Sequence, residues 1–266
     1  MQLKKKALLA AVFAALAAPV SMNPSAFSPV VSAAPATEVQ AADSFSVDLT
    51  QGENPYFIPS DGWKNGDPFN VFWHKANATL DSGKLKLIID RSPNPDADGV
   101  PYSGGEYRSN ATYGYGRYTA VFKAIKSDGV VSSFFTYTGP SEGDPWDEID
   151  FEVLGKDTTK VQLNYYRDGV GGHEKMIDLG FDAAKGFHTY TFEWRKNSIT
   201  WFVDGRKVYK VIGANIPVTK QKIMMNAWAG KGVDAWLNSF EPKRLPLVAE
   251  YRSIQYTPFT PEEYGS

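Results

Sequence analysis

Residues 146–155 read WDEIDFEVLG, and the pattern of this stretch predicts a β-strand with two unlike faces. Acidic and apolar side chains alternate with a period of two, which is the period of an extended chain. One predicted face carries Glu148, Asp150 and Glu152, and the other carries Ile149, Phe151 and Val153. Successive acids on such a strand lie ~6.6 Å apart, at ~3.3 Å per residue, and repel each other. Because no lysine or arginine lies among them, the row of acids indicates chemistry rather than stability.

The rest of the chain repeats this pattern, with short alternating runs between turn sequences. The turns are indicated by pairs such as Asn65-Gly66, Asp168-Gly169 and Asp204-Gly205. The alternating runs lie at residues 84–90, 116–125, 130–138, 159–166 and 187–194. We therefore predict an all-β protein, an antiparallel β-sandwich in which residues 45–260 form one domain. Tyr190, Phe192 and Trp194 alternate along one strand, and we expect them in its core.

The N-terminal segment predicts export from the cell. Lysines at positions 4–6 precede an apolar run that is too short to span a bilayer, and small residues follow it. We interpret residues 1–33 as a secretory signal peptide, with cleavage as late as residue 41, and residues 34–44 as a disordered stub. A secreted, extracellular protein is expected.

The composition argues against several classes of function. The 28 basic and 30 acidic residues give a formal net charge of −2 without basic blocks, so nucleic acid is not an expected partner. The chain has no cysteine, which excludes disulfides and thiolate metal sites. The three histidines show no metal-ligand spacing. We predict no metal, no cofactor and no membrane partner.

The row of acids suits the hydrolysis of a glycosidic bond, which uses two carboxyl groups. A retaining mechanism requires these groups ~5–5.5 Å apart. The Cα atoms of Glu148 and Glu152 are expected ~13 Å apart on a straight strand, but side chains that extend roughly 4 Å, together with strand curvature, shorten the gap. Crowding also raises the pKa of an acid that must hold a proton. A solvated acidic face and a calcium loop of the form D-x-D-x-E remain as alternatives, although the apolar alternation argues against the calcium loop.

WDEIDFEVLG and the sequence that follows it, to residue 194, resemble the bacterial lichenases, which are endo-β-1,3-1,4-glucanases of glycoside hydrolase family 16. The resemblance covers roughly residues 50–257. It implies a jelly-roll β-sandwich with a substrate cleft on the concave sheet, and a mechanism that retains the anomeric configuration. It also implies that Glu148 is the nucleophile, that Glu152 is the general acid/base and that Asp150 tunes the pair. The acids alone do not decide between the two glutamates.

The resemblance further implies a set of substrate-binding residues along the cleft. They are Trp63, Asn65, Phe69, Glu106, Arg108, Trp146, Asn164, Tyr166, Trp228 and Trp236. Aromatic rings are suitable there because they cover the apolar C–H faces of glucose. Without the resemblance, an exposed salt bridge between Glu106 and Arg108 would be the preferred interpretation of that pair.

Among the departures from the family's pattern are one position and one segment. Lichenases commonly bind one structural calcium through an aspartate that aligns here with Arg252, and a guanidinium is not a calcium ligand. We therefore expect that the calcium site is absent. Residues 92–105 form a segment longer than is usual in the family, which is expected to alter one end of the cleft.

The sequence thus predicts a monomeric, secreted endo-β-1,3-1,4-glucanase whose partner is a β-glucan polysaccharide. Another family 16 specificity is the first alternative, either a β-1,3-glucanase or a xyloglucan-active transglycosylase. A non-catalytic carbohydrate-binding sandwich is the second. The crowded acids argue against the second, since a lectin gains nothing from them.

Overall fold

The computed structural model describes residues 43–265. The predicted signal peptide and residues 34–42 of the predicted stub lie outside this range. Between residues 43 and 265, no helix is long and apolar enough to cross a membrane.

Short antiparallel strands make up most of the described chain. Their bounds are β1 Phe45–Asp48, β2 Phe57–Pro59, β3 Val71–Trp73, β4 Ala78–Leu80, β5 Leu85–Arg91, β6 Tyr102–Tyr113, β7 Gly116–Lys123, β8 Val130–Thr138, β9 Asp147–Leu154, β10 Lys160–Tyr166, β11 Lys175–Asp178, β12 His188–Arg195, β13 Ser198–Val203, β14 Arg206–Ile212, β15 Gln221–Ala229 and β16 Leu247–Pro258. The predicted runs coincide with β5, β7, β8, β10 and β12 to within two residues. Asp204-Gly205 closes the β13–β14 hairpin, and both residues have the positive φ that a two-residue type I′ turn requires.

The strands form two stacked layers. One layer, which we call the cleft sheet, has the order β11-β10-β9-β8-β15-β6, and the other, the outer sheet, has the order β5-β16-β7-β12-β13-β14. Neighbours within each layer are antiparallel, and the layers join where β5 pairs with β6. β3 pairs with β6 in the parallel sense. The predicted antiparallel sandwich is therefore confirmed.

The core lies between the two sheets and consists of their inward-facing side chains. On β9, Ile149, Phe151 and Val153 are fully buried, as the alternation predicts. On β12, Tyr190, Phe192 and Trp194 are fully buried as well, so the predicted core is confirmed there. The two strands meet, since the rings of Phe151 and Tyr190 pack edge to face at 5.4 Å. Truncation of such a side chain to alanine costs about 3–5 kcal/mol.

Hydrogen bonds also join the layers at the strands that carry the acids. The indole N–H of Trp201 on β13 donates to the main-chain oxygen of Asp150 at 3.2 Å. The hydroxyl of Tyr251 on β16 donates to the main-chain oxygen of Ser133 on β8 at 2.8 Å. The outer sheet therefore positions the middle of the cleft sheet.

Within residues 43–265, three one-turn α-helices lie in loops, namely α1 Pro95–Asp98, α2 Asp234–Leu237 and α3 Pro261–Tyr264, and there are three 3₁₀ turns, at Leu49–Gln51, Lys75–Asn77 and Pro140–Glu142. The sequence did not predict them because a single turn is too short to show a helical period. α1 lies in the long segment 92–105. The carboxylate of Asp98 accepts from Ser92 at 2.5 Å and contacts His74 at 2.9 Å, and its main-chain oxygen accepts from Lys64 at 2.7 Å. These contacts fix the segment against residues 61–74.

Candidate active site

Strand β9 places its three acids on the outward face of the cleft sheet, between β8 and β10. The antiparallel register sets Glu148 beside Tyr137 and Tyr166, Asp150 beside Phe135 and Asn164, and Glu152 beside Ser133 and Gln162. All three acids line one cleft. The apolar residues of the same strand face the core, so the row of acids is presented by a buried, rigid element.

Burial governs the protonation of these acids. The exposed fractions of Glu148, Asp150 and Glu152 are only 4%, 4% and 9%. Burial raises the pKa of Glu148 to about 7. Burial together with the charge of Glu148 raises the pKa of Glu152 to about 8. Burial and both glutamates raise the pKa of Asp150 well above its ordinary value, so this central acid stays protonated.

The two glutamates have different numbers of hydrogen-bond donors. The indole N–H of Trp146 donates to Oε2 of Glu148 at 2.6 Å, and a hydrogen bond with Asp150 also lowers the pKa of Glu148. Glu152 accepts from Nε2 of Gln162 at 2.7 Å. Donors favour the ionised form of a carboxyl group, and Glu148 has more of them. The hydrogen bonds therefore favour the ionised form of Glu148 more than that of Glu152.

Eight predicted site residues line the cleft directly, and these are Trp63, Asn65, Phe69, Glu106, Glu148, Asp150, Glu152 and Trp228. The ring centroids of Phe69 and Trp228 lie 4.1 Å apart, which gives the cleft an aromatic wall. Nδ2 of Asn226 donates to Glu106 at 3.3 Å, and Oγ of Ser60 donates to it at 2.6 Å. Because Glu106 is buried, the interpretation of an exposed salt bridge with Arg108 is wrong.

The other five predicted residues contact the lining rather than form it. Trp146 stacks on Tyr166 with ring centroids 4.3 Å apart and holds Glu148. The guanidinium of Arg108 lies 5.9 Å from the centroid of the Trp63 ring. Asn164 faces Asp150 across the β9–β10 pair, and Trp236 donates to Gln162 at 3.0 Å. All thirteen predicted residues thus lie in or against the cleft.

Several residues of the cleft were missed by the sequence analysis. The lining also includes Lys64, Ser133, Phe135, Tyr137, Ser141, Met224 and Asn226, and Gln162 contacts Glu152. For β15 a signal existed, because a period of two from Trp228 leads to Asn226 and Met224. For β8 none did, since eight of its nine residues are buried. Gln162 could be found only from the register of β10 against β9.

The region around Arg252 does not suit a cation. Arg252 is exposed at a bulge in β16, and its guanidinium lies 3.7 Å from the centroid of the Phe187 ring. Nζ of Lys84 and Nζ of Lys123 lie 5.9 and 5.7 Å from the same ring. Both lysines pair with Glu250, and because these four side chains together remain net positive, they disfavour a calcium ion there. Within residues 43–265, no group of three or more histidines and acids is placed to hold a metal ion.

Comparison with known proteins agrees with this geometry. The model of the glycosyl hydrolases family 16 matches residues 65–244, which is more than half of the chain. The chain belongs to glycosyl hydrolase family 16. The resemblance drawn from WDEIDFEVLG is thereby confirmed, and with it the class of enzyme.

Relatives within family 16 are similar over most of the chain. A xylanase/beta-glucanase of Ruminococcus flavefaciens is 51% identical over 224 residues, which are 83% of this chain and 28% of that protein. A beta-glucanase of Bacillus subtilis is 48% identical, over 82% of this chain and 88% of that protein. The chain thus spans less than a third of the Ruminococcus flavefaciens protein and most of the Bacillus subtilis one.

A solved family 16 structure shows the same architecture. The crystal structure of a prokaryotic beta-1,3-1,4-glucanase (lichenase) from a mouse hindgut metagenome superimposes with a TM-score of 0.78 at 45% identity. The match covers 82% of this chain and all of that one. The predicted jelly-roll sandwich is therefore confirmed.

Proposed function

We propose that this protein is a secreted endo-β-1,3-1,4-glucanase that hydrolyses mixed-linkage β-glucan by retaining double displacement. One observation carries the proposal. A single strand presents three buried carboxyl groups to a cleft, and their hydrogen-bond donors are distributed so that Glu148 ionises before Glu152. A nucleophile must be ionised and a general acid must be protonated at the same pH, and this distribution of donors supports that order.

In the first step, the carboxylate of Glu148 attacks the anomeric carbon. A bond forms between a carboxylate oxygen and that carbon, and the glycosidic C–O bond breaks. The carboxyl of Glu152 gives its proton to the departing oxygen, which leaves as the hydroxyl of the next sugar. In the second step, Glu152 takes a proton from water, the water oxygen bonds to the anomeric carbon, and Glu148 is released as a carboxylate.

Asp150 supports this cycle without forming a covalent bond to the sugar. Its raised pKa keeps it neutral between the two glutamates, so it donates to Glu148 rather than repelling it. This bond stabilises the ionised nucleophile before attack and after release. The crowding seen in the sequence is thus relieved by one retained proton.

The substrate class is supported by the cleft and by the relatives. The partly exposed ring of Trp63 offers a flat apolar surface to a glucose ring, and the buried rings of Phe69 and Trp228 lie behind the cleft wall. Glu106 and Asn65 also line the cleft and carry polar atoms that suit hydroxyls. The R. flavefaciens and B. subtilis relatives bear the name beta-glucanase, and the solved mouse-hindgut enzyme is described as a beta-1,3-1,4-glucanase. We further propose a monomer that needs no calcium.

A panel of polysaccharides tests the specificity. Purified protein is offered barley β-glucan, laminarin, carboxymethylcellulose and xyloglucan, and new reducing ends are counted. We expect release from barley β-glucan. Release mainly from laminarin or from xyloglucan would assign another specificity, and binding without release would make the protein a lectin.

Rescue by azide tests the two roles. With an activated aryl glycoside, Glu148→Ala should yield a glycosyl azide of inverted configuration, because azide replaces the missing nucleophile. Glu152→Ala should yield one of retained configuration, because azide replaces water in the second step. The reverse pattern, read by proton NMR of the product, would exchange the two assignments.

Export is tested separately. We propose that residues 1–33 direct secretion and are removed. Expression of the full chain in a bacterial host, followed by N-terminal sequencing of the protein in the medium, should place the new terminus between residues 34 and 42. Retention of the complete chain inside the cell would contradict this.

A further inference from the structure

Gln162 on β10 lies directly opposite Glu152 on β9 and contacts it. The two residues are register partners, and Gln162 is 6% exposed. Its Nε2 donates to Oε2 of Glu152 at 2.7 Å. A glutamine amide could present either its N–H₂ or its oxygen to the acid, so its function depends on what fixes its orientation.

Trp236 fixes that orientation. An indole N–H can only donate, and the indole of Trp236 lies 3.0 Å from Oε1 of Gln162. The amide oxygen must therefore face Trp236, which leaves the amide N–H₂ facing Glu152. Trp236 is itself held by α2, where Leu237 is buried and its main-chain oxygen accepts from Gly129 at 2.8 Å. The indole of Trp236 thus donates to the amide oxygen of Gln162, and the amide N–H₂ of Gln162 donates to Glu152. These two hydrogen bonds together fix the rotation of the amide group.

This arrangement distinguishes the two oxygens of Glu152. Oε2 accepts the amide hydrogen bond whether the acid is charged or neutral, and the carbonyl oxygen of a neutral carboxyl is the better acceptor. In the protonated state, the proton is therefore placed on Oε1. In the ionised state, the same amide stabilises the carboxylate that must activate water.

We propose that Trp236 and Gln162 form a positioning relay that assigns the transferable proton of the general acid to Oε1 of Glu152. The inference rests on the proposed function, because it requires Glu152 to be the acid/base. It adds a role for Trp236 beyond contact with substrate, and it assigns a role to Gln162.

The charged groups that face Glu152 do not replace this relay. Glu148 and Asp150 lie on the same strand, and Glu148 and Glu174 add negative charge that raises the pKa of Glu152. From the other side, β8 contributes Ser133. The hydrogen bond from Gln162 acts in the opposite direction to the acids and lowers that pKa.

The test is the pH profile of kcat/KM on barley β-glucan. Its alkaline limb reports loss of the proton of Glu152. Gln162→Leu removes the donor, so this limb should move to higher pH by about one unit. Trp236→Phe keeps a ring but lets the amide turn, so the limb should move in the same direction by about half as much. The double variant should shift no further than Gln162→Leu alone, since both act through one bond.

A matched control removes an indole from the other glutamate. Trp146→Phe takes a donor from Glu148, so it should move the acid limb upward and leave the alkaline limb in place. An unmoved alkaline limb in Gln162→Leu would overturn the relay. Additive shifts in the double variant would also overturn it, because they would mean that Trp236 acts on the pKa of Glu152 by a route other than Gln162.

A second readout does not depend on turnover. The carboxyl carbon of Glu152, labelled with ¹³C and assigned by its loss in Glu152→Gln, should titrate at higher pH in both single variants. If wild-type protein released no sugar from any glucan, the proposed function would fail while this titration still tested the relay. Identical titrations in wild type and Gln162→Leu would disprove it.

Discussion

Asp147 and Glu148 are neighbours on β9, and the strand points their carboxyl groups to opposite sides of one sheet. Asp147 is fully buried, yet its pKa lies below the ordinary value. Burial raises that pKa, but the hydrogen bonds outweigh it. The donors are the main-chain N–H groups of Asp168, Val218 and Thr219, at 2.9, 2.9 and 3.0 Å, and the guanidinium of Arg167 at 3.1 Å from both oxygens. Glu148 accepts from an indole and from a neighbouring acid, and its pKa is raised.

The difference teaches that burial alone does not decide the charge of a carboxyl group. The number and type of donors decide it. Asp147 is a saturated anion that joins β9 to two loops, whereas Glu148 is poised to change its charge. A reactive acid and a structural acid can therefore occupy consecutive positions, and the same isosteric substitution at each should have opposite consequences.

The largest expected effect is a loss of catalysis when either reactive glutamate is replaced. Glu148→Gln and Glu152→Gln should each lower kcat by more than about 10³-fold, because a positioned nucleophile or acid is lost. The melting temperature should be unchanged or higher, because a carboxyl group whose ionised form is disfavoured by burial is replaced by an amide that cannot ionise. Reducing-end assays and calorimetry measure both quantities. Near-normal turnover in Glu148→Gln would dismiss its role as nucleophile.

On the structural side, Asp147→Asn should reduce the free energy of unfolding by about 3–5 kcal/mol. It removes the partner of Arg167 and turns one acceptor oxygen into a donor that faces main-chain N–H groups. Urea denaturation gives this value, and the activity per folded molecule should remain close to that of the wild type. A stable but inactive variant would contradict this expectation and would show that Asp147 takes part in catalysis.

The pH dependence of stability sharpens the comparison. Glu152 has a folded-state pKa of about 8, above its unfolded value. Its contribution to the free energy of unfolding is therefore complete at low pH. That contribution is lost as pH rises through the interval between the two values. Wild type should therefore lose about 3 kcal/mol more than Glu152→Gln between pH 5 and pH 8. Urea titrations at several pH values give the free energy of unfolding of each protein against pH. Parallel curves for the two proteins would show that the pKa of Glu152 is not raised.

The smallest expected effect concerns the far side of the sandwich. Calcium should leave the melting temperature unchanged, because Arg252, Lys84 and Lys123 gather around Phe187. Melts in calcium chloride and in chelator measure this. A large upward shift with calcium would contradict the expectation, and Arg252→Ala would then show whether the ion binds near that residue.

The sequence predicted the parts of this protein that follow from a local period. The alternation in WDEIDFEVLG predicted β9, its buried face and its row of acids, since each depends only on positions two apart. The division of roles between the glutamates came from the resemblance. The structure adds a physical reason for it in the unequal donors.

What the sequence did not predict depends on register and on distant partners. Gln162 contacts Glu152 only because β10 pairs with β9 in one particular alignment. Asp147 accepts hydrogen bonds from residues 20 to 72 positions away, so nothing in its neighbourhood marks it as different from the acids beside it. β8 is buried along nearly its whole length, and its side chains do not reveal which face meets the cleft.

The hydrogen bond from Trp201 to the main-chain oxygen of Asp150 has a consequence for thermal inactivation of this enzyme. It ties the middle of β9 to the opposite layer, so displacement of the acids is coupled to separation of the two sheets. Thermal inactivation and global melting should therefore coincide in one transition, without a folded but idle form between them.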